Sequence, residues 1–406
     1  MTTTHRTPAP ATDPQRSPSP SLSDSVAIST RVLTAFADLA PKGARGAEYS
    51  VDFGPAVLAA LTVAAHGPRR PPEAAPRAVA AWLRQLRQGC THPGLFGWGL
   101  GGYLLGLRTA AAAWPRLGGL ADTAFRELAA CSGRWRTEGL AWSDYDLVTG
   151  TAGSLLALAA DPACTRQDVA HAVGHLTALC ANADLGRLRV GRYKDEEMRG
   201  WNHDRVNSGA AHGAAGVATA LCGAADATGL TQEIAASLEH LASWYLTRYE
   251  SGARSVITWP PAGGMTHLPS RPLTWCYGTP GISWALWETG RVLDDAPLRE
   301  FALHAAASFL RGYDEEADRP DLSLCHGMPG LALLCDAFDR HAGLAGAAAL
   351  RDRLVARVLA RLDEVTDLAA HDGTLLTGAT GACAALLTLE SGTSGDRSWL
   401  AAFGLR

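Results

Sequence analysis

The 406-residue chain lacks both a long apolar run and a strong imbalance of charge. No apolar stretch approaches the roughly 20 residues that a transmembrane helix needs, so the sequence predicts no membrane span. The formal net charge of −4 at pH 7 gives no support for a nucleic-acid or membrane-surface partner. Alternating, strand-like patterns are also sparse, which favours an all-α fold.

The first two dozen residues lack the apolar core of a secretory signal and are rich in Pro, Ser and Thr. We therefore expect residues 1–24 to form a disordered tail and residues 25–406 to form one domain. With 47% hydrophobic residues, a chain of this length can bury a large core.

The nine cysteines lack the features of a disulfide framework, because their number is odd, their spacing is wide and no secretory signal precedes them. The reducing cytoplasm is the expected location of such a chain. Most of these cysteines lie in Ala- and Leu-rich stretches, where a free thiol behaves as a small buried hydrophobe. Only Cys276 and Cys325 depart from that setting.

A Gly-x-x-Gly step recurs at intervals of roughly 50 to 65 residues, each time before an apolar, helix-forming stretch. The six steps begin at Gly99, Gly150, Gly213, Gly278, Gly327 and Gly378. Between them lie segments with helical periodicity and charges on one side. Each unit therefore predicts an amphipathic outer helix followed by an apolar inner helix that begins at the glycines.

A further pair of helices, Val26–Ala40 and Val57–Ala65, precedes these units and keeps only Gly54 of the motif. The total of seven inner and seven outer helices predicts a closed ring of helix pairs. Two connections, 184–211 and 250–274, are longer than turns need. We expect them to form the rim of a central cavity.

Two of the glycine steps follow side chains that can bind a metal. Cys325 and His326 are adjacent, and neighbouring helical residues point about 100° apart, so they can share a metal only from a turn or a helix start. Gly327 places them at such a start, and Cys276 occupies the matching position one repeat earlier. Two thiolates and one imidazole suit Zn²⁺ and leave one coordination position open, which predicts one catalytic zinc ion per chain.

Other interpretations of these residues exist. Cys276 and Cys325 could be buried structural thiols, or the zinc could be structural with a fourth ligand, for which His212 is the available candidate. The pair His171 and His175 has i,i+4 spacing but lacks the Glu of a metalloprotease helix, so we interpret it as a surface pair.

Several motifs resemble those of the LanC family of lanthionine cyclases. The similar segments are 275–281 (WCYGTPG), 325–330 (CHGMPG) and 207–213 (NSGAAHG). Tyr145-Asp146, ahead of Gly150, resembles the acidic motif of the family. The likeness extends from about residue 26 to the end of the chain. It implies an α/α toroid with catalytic zinc that acts on a dehydrated precursor peptide in lanthipeptide antibiotic biosynthesis.

Position by position, the resemblance implies roles for six residues. They are the zinc ligands Cys276, Cys325 and His326, the acid/base pair His212 and Asp146, and Tyr277, which would line the site. Asp144 is the other candidate for the acidic role. Asp146 could also cap a helix, and His212 its glycine turn.

The family also has an arginine four residues before the first zinc cysteine. In this chain that position is Pro272, and Arg271 lies one residue further upstream. A slightly longer loop would let Arg271 deliver its side chain to the site.

The implied reaction is a Michael-type addition of a peptide cysteine to dehydroalanine or dehydrobutyrine, which forms a thioether ring. A free thiol with a pKa near 8.5 is only a few per cent ionised at pH 7, and coordination to zinc removes its proton, a gain of roughly 2 kcal/mol. His212, oriented by Asp146, would then protonate the enolate.

Two other functions remain open. One is a relative that adds glutathione or another thiol, and the other is a non-catalytic partner that holds a precursor peptide for a dehydratase. A helical-toroid carbohydrate enzyme would not need the Cys-Cys-His set. The resemblance leaves open a dehydratase and an exporter as further partners, through which the chain would associate with a membrane.

Overall fold

The computed structural model describes residues 22–39, 52–67, 71–87, 89–131, 135–194, 196, 199–263, 273–318, 320–392 and 396–405. The predicted tail lies mostly outside these residues. The first helix already begins at Leu22, three residues before the expected start of the domain. Asp24 stands in its first turn, where a carboxylate stabilises the positive end of the helix dipole.

Helices dominate the described part of the chain. In chain order they are α1 (Leu22–Leu39), α2 (Gly54–His66), α3 (Ala74–Leu86), α4 (Leu100–Ala111), α5 (Gly118–Ala129), α6 (Thr151–Ala159), α7 (Arg166–Leu179), α8 (Ala214–Thr228), α9 (Gln232–Leu246), α10 (Thr279–Val292), α11 (Ala296–Gly312), α12 (Glu315–Asp318), α13 (Met328–Ala342), α14 (Ala347–Leu359), α15 (Leu362–Leu368) and α16 (Ala379–Glu390). A small antiparallel hairpin pairs β1 (Glu250–Ser251) with β2 (Ile257–Thr258). No helix among the described residues is both long and apolar enough to cross a bilayer.

Seven inner helices form a closed ring. Each of α2, α4, α6, α8, α10, α13 and α16 contacts the next, and α16 returns to α2. The outer helices α1, α3, α5, α7, α9, α11 and α14 pack against this ring from outside, each on at least one inner helix. The all-α toroid with seven inner and seven outer helices is therefore confirmed.

Composition decides which helices lie inside. The inner helix α2 buries every residue from Gly54 to Thr62. The outer helix α3 buries Ala78 and Trp82 on one side and exposes Arg77 on the other. Because apolar burial contributes roughly 25 cal/mol per Å², a helix that is apolar on all sides is most stable between neighbours.

We use the term glycine loop for the segment before each inner helix. These loops are 92–99, 145–150, 207–213, 273–278, 321–327 and 372–378, with a shorter one at 52–53. The second glycine of each Gly-x-x-Gly step lies against a carbonyl oxygen six or seven residues earlier, for example Gly281 against Trp275 and Gly330 against Leu324. A Cβ at these positions would overlap that oxygen. In the loops before α10 and α13, the residue after the packed carbonyl is Cys276 or Cys325. The close approach therefore fixes the backbone position of each of these two cysteines.

Backbone hydrogen bonds join neighbouring glycine loops. In five of these bonds, an N–H group of one loop donates to a carbonyl oxygen of another. The pairs, with their N···O distances, are Leu95 to Leu147 (3.3 Å), Leu147 to Ala211 (3.1 Å), Ala210 to Cys276 (2.8 Å), Cys276 to Cys325 (3.4 Å) and Cys325 to Leu376 (3.0 Å). The Asp52 carboxylate continues this ring of bonds, because it accepts the N–H groups of Leu375 and Leu376. The aromatic rings of Phe53 and Phe96, whose centroids are 5.8 Å apart, connect the first loop to the second and close the ring of loops.

The C-terminal segment lies inside the ring. A 3-10 helix, Ser398–Phe403, contacts α4 and α6, and its Trp399 indole N–H donates to Thr388 on α16. The indole N–H groups of Trp275 and Trp284 donate to the carbonyl oxygens of Phe403 and Gly404. Because these partners belong to different sides of the ring, the segment acts as a central plug, and Trp275 links it to the glycine loop that contains Cys276.

Asp52 makes the stability of the ring dependent on pH. Burial raises the pKa of Asp52 to about 7, although three backbone N–H groups lower it. In the unfolded chain an aspartate has a pKa near 4, so the folded state holds this proton to higher pH. The free energy of unfolding should therefore fall as pH rises from about 4 to about 7. Below that window the full stability remains.

The substitution Asp52→Asn should remove this dependence. We expect the free energy of unfolding of the variant, measured with urea between pH 5 and pH 8, to rise relative to that of the native protein. The rise should be on the order of a few kcal/mol as pH increases. Asp38→Asn is a suitable control, since Asp38 is half-exposed and pairs with Arg77 at the surface. A difference in stability between Asp52→Asn and the native protein that stays constant from pH 5 to pH 8 would contradict this prediction.

Candidate metal centre

Cys276, Cys325 and His326 come together as the sequence predicts. Their potential ligand atoms, the two Sγ atoms and an imidazole nitrogen, all lie within 4.8 Å of one another. Cys325 Sγ is 3.6 Å from His326 Nε2. Tetrahedral zinc with Zn–S near 2.3 Å and Zn–N near 2.0–2.1 Å separates such atoms by about 3.6 Å. The three residues therefore fit a metal ion of that size.

Hydrogen bonds within the two loops hold the ligands in place. Thr274 Oγ1 lies 3.4 Å from Cys276 Sγ, and the same hydroxyl accepts the N–H of Tyr277. In the other loop, Ser323 Oγ accepts the N–H of His326 and donates to Asp321. Groups of this kind orient metal ligands without touching the metal.

The electrostatics of the group distinguish it from the other thiols. Hydrogen bonds from Cys325 and His326 lower the pKa of Cys276 well below its usual range, although burial opposes this. The neighbouring Cys276 thiolate raises the pKa of Cys325 and, against burial, that of His326. By contrast, burial raises the pKa of Cys335 to about 12. Cys276 is thus prepared to act as a thiolate.

A second group of residues, from the glycine loops before α6 and α8, contains the predicted acid/base pair. Asp146 is fully buried, and its Oδ2 lies 2.6 Å from His212 Nδ1. Its Oδ1 accepts the N–H groups of Thr149 and Gly150, both at 2.8 Å. The His212 side chain is 25% exposed. With Nδ1 facing a carboxylate, His212 Nε2 is the nitrogen available for chemistry.

The alternative acidic residue has a different role. Asp144 accepts the N–H groups of Arg136 and Ala141 and so shapes its own loop. The histidine pair of α7 is also not a metal site. His171 is exposed, but our interpretation of His175 as a surface residue is wrong. His175 is half-buried because its Nε2 bonds the Asp144 carbonyl and its ring packs on Trp135.

Tyr277 connects the glycine loop 273–278, which contains Cys276, to the glycine loop 207–213, which contains His212. Asn207 Oδ1 accepts the N–H of Gly209, so its Nδ2 faces Tyr277 Oη at 2.8 Å. Burial above all raises the pKa of Tyr277, and the nearby thiolates add to this. The phenol thus stays protonated, and because its oxygen accepts from Asn207, its proton is free for another acceptor. The sequence motif contains Asn207, but motif spacing alone gave it no role.

Three aromatic side chains near the pair were not predicted. The Trp142 ring stacks on His212 with centroids 4.2 Å apart, and its centroid is 5.4 Å from that of Tyr193. The Trp201 ring contacts Tyr277 edge-on. Tyr193 and Trp201 belong to the connection 184–211, which was expected to line the cavity. The unusual length of this connection was the only feature of the sequence that could have indicated these two residues, because no periodic pattern marks them.

The other long connection is only partly described. Its described part carries the β1–β2 hairpin, whereas Arg271 and Pro272 fall outside the described residues. The role expected for Arg271 therefore stays a prediction.

A cavity of about 470 Å³ adjoins the Cys325 loop. It lies between that loop, α15 and the last glycine loop, and its polar lining includes Asp321, Arg361, Glu364, Asp367, His371 and Thr377. Arg361 is held by both oxygens of Glu364. The cavity therefore lies on the same side of the toroid as the Cys-Cys-His group and has a lining of both acidic and basic side chains.

Comparison with known proteins agrees with this geometry. The family model described as lanthionine synthetase C-like protein matches residues 57–403. The chain belongs to this family. Among solved structures, nisin cyclase matches this member with a TM-score of 0.72 over 93% of this chain and 97% of the other, at 19% sequence identity, which shows a shared fold. A sequence search of curated proteins finds no match.

Metal binding by this family member can be measured directly with Co²⁺ as a probe. We expect metal-free protein to bind one equivalent and to develop thiolate-to-metal charge-transfer absorption. Cys325→Ala should weaken binding by more than about 100-fold, because it removes a ligand rather than an outer contact. Cys335→Ala, which removes a buried thiol from α13, should retain binding. Stoichiometric, tight binding by Cys325→Ala would contradict the ligand assignment.

Proposed function

We propose that this chain is a zinc-dependent lanthionine cyclase. Its substrate would be a dehydrated precursor peptide, whose cysteine thiols add to dehydroalanine or dehydrobutyrine. One observation above all supports this function. The Cys-Cys-His group and the His212–Asp146 pair occupy hydrogen-bonded neighbouring loops, since the Ala210 N–H donates to the Cys276 carbonyl at 2.8 Å.

Cys276, Cys325 and His326 would hold the zinc ion. When bound, Zn²⁺ supplies a positive charge that lowers the pKa of a substrate thiol. The two protein thiolates would balance the charge of the ion, so that a substrate sulfur beside them would keep its electron density. The three protein ligands would leave one coordination position open to that sulfur.

The addition needs one proton at carbon. The sulfur forms a bond to the β-carbon of the dehydroamino acid, the electrons of the double bond move to the α-carbon and its carbonyl, and the α-carbon then takes a proton. His212 would donate it from Nε2, and the buried Asp146 carboxylate that holds Nδ1 would balance the imidazolium charge. The thiol proton lost and the carbon proton gained leave the peptide mass unchanged.

Tyr277 would position the acceptor. Its phenol is protonated and is held by Asn207, so it can donate a hydrogen bond to the carbonyl oxygen on which negative charge develops. The neighbouring cavity of about 470 Å³ would take residues that flank the reacting pair.

The decisive substitution is His212→Ala. A synthetic peptide with one dehydroalanine and one cysteine serves as substrate, and ring formation is followed as loss of alkylatable thiol at constant mass. The variant should retain one zinc ion per chain but cyclise about 10²–10⁴-fold more slowly, because it lacks the general acid.

His171→Ala provides the matched control, since it removes an exposed histidine from α7. It should cyclise at the native rate. Undiminished cyclisation by His212→Ala would remove His212 from the mechanism. Absence of cyclisation by the zinc-loaded native protein, compared with buffer, would overturn the proposed function.

The same assay separates the rival functions. An enzyme that adds external thiols would give a peptide heavier by one glutathione when glutathione is present. A non-catalytic binding partner would retain the peptide without any loss of thiol. The proposed cyclase gives neither result.

Location and partners also belong to this proposal. All nine cysteines are free thiols, which supports the reducing cytoplasm as the site of action. A dehydratase would supply the unsaturated residues of the substrate, and an exporter would remove the product. Contact with either would bring the chain to a membrane.

A further inference from the structure

We infer that Trp142 is a positioning residue that fixes the plane of the His212 imidazole, an inference that rests on the proposed function. The carboxylate of Asp146 holds one atom of this ring, Nδ1, at 2.6 Å. A single hydrogen bond leaves the ring free to pivot about that contact. The direction of Nε2 is then not determined by Asp146 alone.

The indole of Trp142 removes this freedom. Its ring lies face to face with the imidazole, with centroids 4.2 Å apart and an angle of 18° between the planes. A ring packed in this way resists rotation about an axis in its plane, because rotation would drive its edge into the indole. Stacked aromatic pairs of this kind stabilise a structure beyond the effect of their buried area.

Trp142 itself is held rigidly by its backbone. Its carbonyl oxygen accepts the N–H groups of Tyr145 and Asp146, at 3.0 and 2.8 Å. Its own N–H donates to Tyr193 Oη at 3.1 Å. The indole and the segment 142–150, which we call the acid-bearing loop because it contains Asp146, are therefore linked. Asp146 and Trp142 contact His212 from one rigid unit.

The connection 184–211 supports this unit from outside. Tyr193 packs edge-on against the Trp142 ring, and the Arg199 guanidinium lies 4.3 Å from the Tyr193 ring centroid. Tyr145 Oη donates to the His212 carbonyl at 2.9 Å. His212 is thus fixed through its backbone, its Nδ1 and its ring face.

Two substitutions test the positioning role. Trp142→Leu removes the flat surface, and we expect kcat for cyclisation to fall about tenfold with KM and zinc content unchanged. Trp142→Phe keeps an aromatic face and should restore most of the rate. It also removes the indole N–H, which is buried without a hydrogen-bond partner among the described residues, so its loss leaves no polar group unsatisfied.

A double-mutant cycle separates this role from a merely structural one. In the His212→Ala background, Trp142→Leu should cause no further loss of the residual rate, because the residue on which the indole acts is absent. An equal tenfold loss in both backgrounds would overturn the inference.

A second Trp–His pair in the same chain gives a matched control. Trp135 packs on His175, which bonds the Asp144 carbonyl in the acid-bearing loop. Trp135→Leu therefore disturbs the outer side of this loop without touching His212. It should leave kcat unchanged, and a tenfold loss here would show that loop stability alone explains the effect.

A substrate-free measurement distinguishes failure of this inference from failure of the proposed function. In protein with labelled histidine, the His212 ring protons should be shifted upfield by the indole and should lose this shift in Trp142→Leu. An unchanged spectrum overturns the inference even if the native protein is an active cyclase. If the native protein does not cyclise, the proposed function fails and the spectrum still decides the stacking.

Discussion

The hydrogen bonds that join neighbouring glycine loops are the constraint on which the rest of the structure depends. Cys276 is donor to one neighbour and acceptor from another, and its partner across the first bond is Cys325. The distance between these two candidate metal ligands from different repeats is therefore set by the main chain. Side-chain rotation adds little freedom, since both thiols are buried. The quality of the metal site depends on closure of the whole ring, including the distant Asp52 carboxylate.

The same ring holds two negatively charged groups, a thiolate and a carboxylate, on different loops. Thiolate character is concentrated at Cys276, whereas the buried carboxylate of Asp146 belongs to an earlier glycine loop and is satisfied by backbone N–H groups and His212. Tyr277 and Asn207 lie between the two groups, linked by one hydrogen bond. In the proposed reaction, the Cys-Cys-His group would activate the nucleophile and the His212–Asp146 pair would donate the proton. Burial strengthens each of these interactions, because water is excluded from them.

The repeat of Gly-x-x-Gly steps was sufficient to predict the helical ring, because glycine is required wherever the loop carbonyl packs on the next helix. Cys276 and Cys325 hold matching positions in neighbouring repeats, which was sufficient to predict that they and His326 lie together. Helix limits were less exact: α2 begins at Gly54 rather than Val57, since burial continues through the glycine. Trp142 escaped prediction because its stacking depends on how separate loops pack, which no local pattern encodes. His175 was misjudged for the same reason, as its partner lies on another element.

The circular order of the inner helices has a consequence for biosynthesis of the chain. Helix α2, made early on the ribosome, must wait for α16 as its neighbour, and α1 also packs against α16. A nascent chain that has emerged only as far as Cys325 already carries all but one of the candidate ligands, yet it lacks the last glycine loop and the central plug that hold them. The Cys-Cys-His group is therefore assembled only after α16 and the plug have been synthesised and have closed the ring.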